Sequence, residues 1–117
     1  MKKLLLTTTA LAIFSCPALA QSSRPTTNFS VSITAGNSYQ TITNLPAGSP
    51  RSSLTIQNNN VNGDNCWLFL GSGTATKGAS ILLAQGQSYG RYYPYVPSDA
   101  IQVTCATSLD TLYVDAQ

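Results

Sequence analysis

The sequence predicts an all-β protein: a single antiparallel β-sandwich of about seven to eight short strands, following an N-terminal signal peptide. Three observations predict it. Apolar and polar residues alternate in several runs, such as Phe29-Ser30-Val31-Ser32-Ile33-Thr34 and Ile101-Gln102-Val103-Thr104-Cys105, the period of a half-buried strand. Gly, Pro, Asn and Asp punctuate the chain at the short intervals expected of sandwich or small-barrel strands. No segment carries a convincing helical period.

The N-terminus has its own logic. Met1-Lys2-Lys3 is basic, residues 4–14 are mostly apolar, and Ala18-Leu19-Ala20 supplies small residues around a cleavage point. That is the pattern of a bacterial secretory signal, too short for a membrane span. Cleavage after Ala20 divides the chain into a signal peptide (1–20), a polar, flexible leader (21–27) containing Pro25, and a sandwich domain (28–117). The expected location is periplasmic or secreted. An alternative reads Ile13-Phe14-Ser15-Cys16 as a lipoprotein box, with Cys16 lipidated and the protein anchored.

Loss of Lys2 and Lys3 changes the electrostatics. Arg24, Arg51, Lys77 and Arg91 then face Asp64, Asp99, Asp110 and Asp115, so the mature chain is near neutral. No basic patch remains to hold a nucleic-acid backbone, and none is expected as a partner.

The first mature strand carries Phe29, Val31 and Ile33 inward. Ala35-Gly36-Asn37 turns the chain into a second strand over residues 38–44, which Pro46, Gly48 and Pro50 end. Residues 51–58 follow, with Leu54 and Ile56 facing in, and Asn62-Gly63 marks a tight turn. Cys66-Trp67-Leu68-Phe69-Leu70, between Gly63 and Gly71, is apolar on both faces and is expected to be a covered central strand. A polar, flexible connection runs from Gly71 to Gly78. Residues 80–84 form a fifth strand, Gln85-Gly86 a turn, and residues 88–93 a sixth, aromatic strand. Pro94 and Pro97 mark a bend or a single helical turn. Residues 100–105 and 111–115 close the domain around a turn at Ser108-Leu109-Asp110.

After cleavage two cysteines remain, Cys66 and Cys105, in a compartment where thiols oxidise. A disulfide between them is expected, with two buried free thiols as the alternative.

The catalytic inventory is thin. There is no histidine, hence no ordinary Ser-His or Cys-His nucleophile. The four aspartates each sit in a turn or at a strand end, where Asp is common for local reasons. A non-enzymatic protein without a cofactor is expected.

Two constellations are candidates for binding. Tyr89, Tyr92, Tyr93 and Tyr95, with Arg91 among them, offer ring area and hydroxyls to a protein partner or a polysaccharide. Alternation places Tyr89, Arg91 and Tyr93 on one face and Tyr92 on the other. The same rings could instead line the sandwich and its corner. Asn58, Asn60, Asn62 and Asp64 set side-chain oxygens at alternate positions, as at the start of a calcium loop. Only Asp64 is charged, and an Asn-rich hairpin loop is the competing reading, so no metal is assigned.

The order Arg51-Ser-Ser-Leu54-Thr-Ile56-Gln57-Asn58, Cys66-Trp67-Leu68-Phe69-Leu70-Gly71, Ser80-Ile81-Leu82-Leu83, Gly86-Gln-Ser88-Tyr89 and Asp99-Ala100-Ile101 resembles the small β-sandwich proteins encoded among tailed-phage structural genes and related bacterial loci. The resemblance covers residues 51–113 and implies an accessory virion or surface-attachment role. Together these readings point to an exported structural or adhesive interaction module at the cell envelope or on an extracellular particle. The alternative is a carbohydrate-binding module using the tyrosine cluster.

Overall fold

The computed structural model describes residues 26–45 and 47–117. The expected signal peptide, the Cys16 lipidation alternative and residues 21–25 of the expected leader lie outside the described residues. Eight strands form: β1 (Thr27–Ser32), β2 (Gln40–Thr41), β3 (Ser53–Asn58), β4 (Cys66–Leu70), β5 (Ile81–Leu83), β6 (Ser88–Tyr92), β7 (Ile101–Cys105) and β8 (Thr111–Ala116). They build two four-stranded antiparallel sheets, ordered β1-β8-β3-β6 and β2-β7-β4-β5. Only β4 and β5 are consecutive strands in one sheet; every other connection crosses to the opposite sheet. This strand order is that of a jelly roll, the sandwich made of two Greek keys.

Alternation explains the core. Leu54, Ile56, Leu112 and Val114 of the first sheet meet Leu68, Leu83, Ile101 and Val103 of the second, all buried. Each such side chain contributes about 1.5–3 kcal/mol by leaving water. The polar residues between them face outward, as in the alternating burial of β3 and β8.

Two elements depart from expectation. The second strand is two residues long, because Asn37 adopts a positive φ of 59° and the pairing with β7 slips by one residue. Asn37 N–H donates to Cys105 C=O at 2.8 Å, whereas Ile42 N–H donates to Ile101 C=O at 2.9 Å. A shift of one residue breaks a ladder locally. The polar 71–80 connection is also more ordered than its composition suggests. It holds a single 3-10 turn, Lys77–Ala79, pinned where Ser80 Oγ donates to Thr76 C=O at 2.7 Å and lies 2.6 Å from the Tyr39 hydroxyl. The bend at Pro94–Pro97 contains no helical turn.

The central strand is covered on one face only. Cys66 and Leu68 are buried, while Trp67 and Phe69 on the outer face remain half-buried. Lys77 Nζ stands 3.9 Å from the centre of the Trp67 ring and donates to Asn37 Oδ1. A flexible aliphatic stem capped by a charge suits this partly wet position.

Gly36 marks a close approach between the 33–39 and 106–110 loops. A Cβ there would lie 2.7 Å from Ala106 O and 3.1 Å from Ser108 N, both backbone atoms. Gly36→Ala is expected to lower the unfolding free energy by about 1–3 kcal/mol, because neither backbone can yield cheaply. Urea denaturation checks this, and a change within experimental error would show that the loops can part.

Candidate functional site

The cysteines meet. Cys66 and Cys105 are directly opposed on the neighbouring strands β4 and β7 and form a disulfide, with their Cα atoms 4.0 Å apart. Ala106 N–H donates to Asn65 C=O at 3.0 Å, so the adjacent pair is the hydrogen-bonded one. The cysteines occupy the closer, non-hydrogen-bonded position. Both are fully buried.

The asparagine loop is a knot of protein hydrogen bonds. Asn58 lies at the inward register of β3, after Leu54 and Ile56, and is fully buried. Its Nδ2 donates to Asp64 C=O at 2.8 Å and Leu83 C=O at 2.9 Å, and its Oδ1 accepts the Asn60 N–H at 3.0 Å. Asn60 Nδ2 donates to Cys66 Sγ at 3.2 Å, while its Oδ1 accepts the Thr111 N–H at 2.6 Å. Asp64 Oδ2 accepts from the Thr107 hydroxyl at 2.7 Å. Asn62 is exposed in the turn beside Gly63, whose φ is 83°. The oxygens of Asn58, Asn60 and Asp64 thus each answer a different protein donor, and the loop ties β3 and β8 to β4 and β5.

The tyrosines divide. Tyr89 is only 8% exposed and belongs to the core. It pairs with Ile56 across β3–β6, so its ring is not offered to a partner. Arg91, exposed on the same side of β6, stands with Cζ 4.9 Å from the centre of the Tyr89 ring. Tyr93 lies beyond β6, outside the alternation that grouped it with Tyr89. Tyr92, Tyr93 and Tyr95 are 70%, 80% and 79% exposed.

These three belong to one turn, in which Tyr93–Pro94 is cis and Tyr95 N–H donates to Tyr92 C=O at 3.0 Å. A cis proline at the third position is the arrangement of a type VI turn. Tyr93 N–H donates to Ser52 C=O at 2.8 Å, which anchors the turn to the chain entering β3. Nearby, Arg51 donates to Pro97 C=O at 2.6 Å and Leu45 C=O at 3.1 Å. Desolvation there lowers the Arg51 pKa from its ordinary value. The turn is therefore a ring-rich projection on a tethered base.

Two other features were not read from the sequence. Asp115 sits on the outer face of β8 between Asn28 and Thr55, and its Oδ1 is buried with no hydrogen-bond partner among the described residues. A mid-strand carboxylate within an alternating run is the signal that could have flagged it. A cleft of about 210 Å³ opens between β1 and residues 40–44, lined by Phe29, Val31, Gln40 and Ile42 among others. It lies at the other edge of the first sheet from β6 and so apart from the tyrosines.

No helix among the described residues is long and apolar enough to cross a membrane. No protein-family model, curated protein or solved structure matches this chain.

Proposed function

We propose that this protein is an exported, non-enzymatic interaction module that engages a protein partner through Tyr92, Tyr93 and Tyr95. It would act as a structural or adhesive component in the periplasm, at the cell envelope or on an extracellular particle. The observation that carries this reading is the exposure of three tyrosine rings in one anchored turn. Monomeric proteins seldom leave so much aromatic surface in water without a use for it. Tyrosine also suits interfaces, since it offers a large ring, a hydroxyl and few rotatable bonds. The signal-like N-terminus supports export, and the motif order resembling phage-encoded sandwich proteins supports a particle-associated role. Jelly rolls occur in both capsid and lectin domains, so the fold alone does not choose between readings, and the surface must.

Polysaccharide binding is the second reading, favoured by the same rings, which can stack on sugar faces while their hydroxyls bond the rim. One variant set tests both. Tyr92→Ser, Tyr93→Ser and Tyr95→Ser combined should leave the melting temperature within about 3 °C, since exposed substitutions are close to neutral. Retention on washed envelope or particle fractions should fall at least about tenfold, equivalent to losing about 1.4 kcal/mol of binding. Undiminished retention would remove the tyrosines from the function. Saturable binding to a purified polysaccharide, lost in the same variant, would replace the protein partner with a glycan.

A further inference from the structure

Among the described residues β6 is an edge strand, paired with β3 on one side and with no strand on the other. Two hydrogen bonds at its ends fix which of its groups face outward. Asn58 N–H donates to Gln87 C=O at 2.9 Å, and Tyr93 N–H donates to Ser52 C=O at 2.8 Å. Residues 87, 89, 91 and 93 therefore turn their peptide groups toward β3, and in an antiparallel ladder the alternate residues turn theirs away. Ser88, Gly90 and Tyr92 present theirs to the open edge. Their N–H groups have no partner among the described residues. The Gly90 carbonyl accepts one bond from the Arg91 guanidinium at 3.3 Å and the Tyr92 carbonyl one from Tyr95 N–H, which leaves each a second lone pair.

Of the other three edges, two are short and the third is capped at one end. β2 and β5 are two and three residues long, and in β1 the Gln40 side chain caps the Ser32 carbonyl at 2.9 Å. Short edges discourage strand addition, whereas β1 keeps the peptide groups of Asn28 and Ser30 facing outward. β6 has five residues, neither proline nor lysine, and a glycine at its midpoint.

We infer that β6 is a homodimerisation edge, pairing antiparallel with β6 of a second copy about a two-fold axis through Gly90. Ser88-Tyr89-Gly90-Arg91-Tyr92 is self-complementary in that register. Gly90 meets the partner's Gly90, Ser88 meets the partner's Tyr92, and Tyr89 meets the partner's Arg91. The three residues with outward peptide groups are the ones this register hydrogen-bonds together. Arg91 already lies over Tyr89 of its own chain; pairing sets it across the seam from the partner's Tyr89, whose ring stays in its own core. The two arginines fall on a diagonal instead of directly opposite each other. With no side chain at Gly90, the axis is open for the flanking Tyr92 rings. The two first sheets become one of eight strands, a closed isologous contact that consumes both β6 edges and leaves β1 at either end.

The pairing also sets two tyrosine turns on one particle, which would multiply avidity for a repeating partner. The dimer itself is independent of what those turns bind, and its test requires no ligand.

Sedimentation equilibrium of the chain lacking residues 1–20, from about 1 μM to about 1 mM, should show a concentration-dependent dimer. Gly90→Lys places an ammonium on the axis facing its copy. A Cβ at this site meets nothing nearer than Thr55 Oγ1 at 3.9 Å, so the monomer has room for it. The dissociation constant should rise at least about tenfold, since like charges directly opposed destabilise strand pairing. Independently of that variant's folding, Gly90→Cys treated with oxidised glutathione should give a covalent dimer. Leu109→Cys, also exposed but in the turn before β8, should not. A monomer throughout the range, a dimer unmoved by Gly90→Lys, or equal crosslinking at Gly90→Cys and Leu109→Cys would each overturn the inference.

Discussion

Replacing Cys66 and Cys105 together by alanine will lower the unfolding free energy by about 4 kcal/mol, the loss expected when a loop of this length is released in the unfolded chain. The cysteines are 39 residues apart in sequence, and the chain between them includes β5, β6 and the tyrosine turn. Most of the effect should come through the unfolded state. β4 and β7 are already neighbours joined by their ladder, so the sulfur bridge adds little to the order of the native sheet. The alanine pair should thus retain the native circular dichroism spectrum while its denaturation midpoint falls steeply. Both sulfurs are fully buried, so dithiothreitol in native buffer should reduce the bond slowly and do so promptly once denaturant opens the fold. A loss below about 1 kcal/mol would mean that the unfolded chain is already compact enough to hold the ends together, or that native strain offsets the entropy.

Asn58→Ala should be nearly as damaging, by about 3–4 kcal/mol, and for a different reason. Truncation removes three short hydrogen bonds and leaves Asp64 C=O, Leu83 C=O and Asn60 N–H without the amide that satisfied them. Each buried polar group so orphaned costs about 1–3 kcal/mol, reduced where the loop relaxes to admit water. Asn58→Asp preserves shape and one acceptor but cannot donate to the two carbonyls, and it buries a carboxylate among acceptors. It should be at least as destabilising as alanine. Asn62→Ala, in the same loop but exposed, should change stability by less than about 0.5 kcal/mol. If urea melts of the Asn58 and Asn62 variants were indistinguishable, the knot would not be what ties the two sheets at this end.

Such a knot was half legible in the sequence. The i, i+2 alternation of Leu54, Ile56 and Asn58 places an amide on the core face, and a buried amide must find partners. Reading the same asparagines as possible cation ligands considered their spacing along the loop but not the register of the strand before it. The tyrosines failed to sort for a related reason. Alternation correctly separates Tyr89 and Arg91 from Tyr92, but β6 lies at an edge and carries Ser, Gly and Tyr on one side and Tyr and Arg on the other. Neither side is apolar enough to declare itself the inner one. The central strand shows the converse limit: five apolar residues imply cover on both faces, yet the outer face has only the 71–80 segment and Lys77 across it.

The sequence by itself determined the fold class, the approximate number of strands, the positions of all but the short β2, and the inward residues of β3, β7 and β8. All of these follow from period-two patterning and turn chemistry, which act between near neighbours in the chain. Tertiary structure alone decided the jelly-roll order, the opposition of Cys66 to Cys105 on adjacent strands, the burial of Tyr89 beside the exposure of Tyr92, Tyr93 and Tyr95, and the placing of β6 at a sheet edge. These depend on which strands become neighbours across tens of residues, and that is set by the joint burial of both sheets' faces, a property no local window of sequence contains.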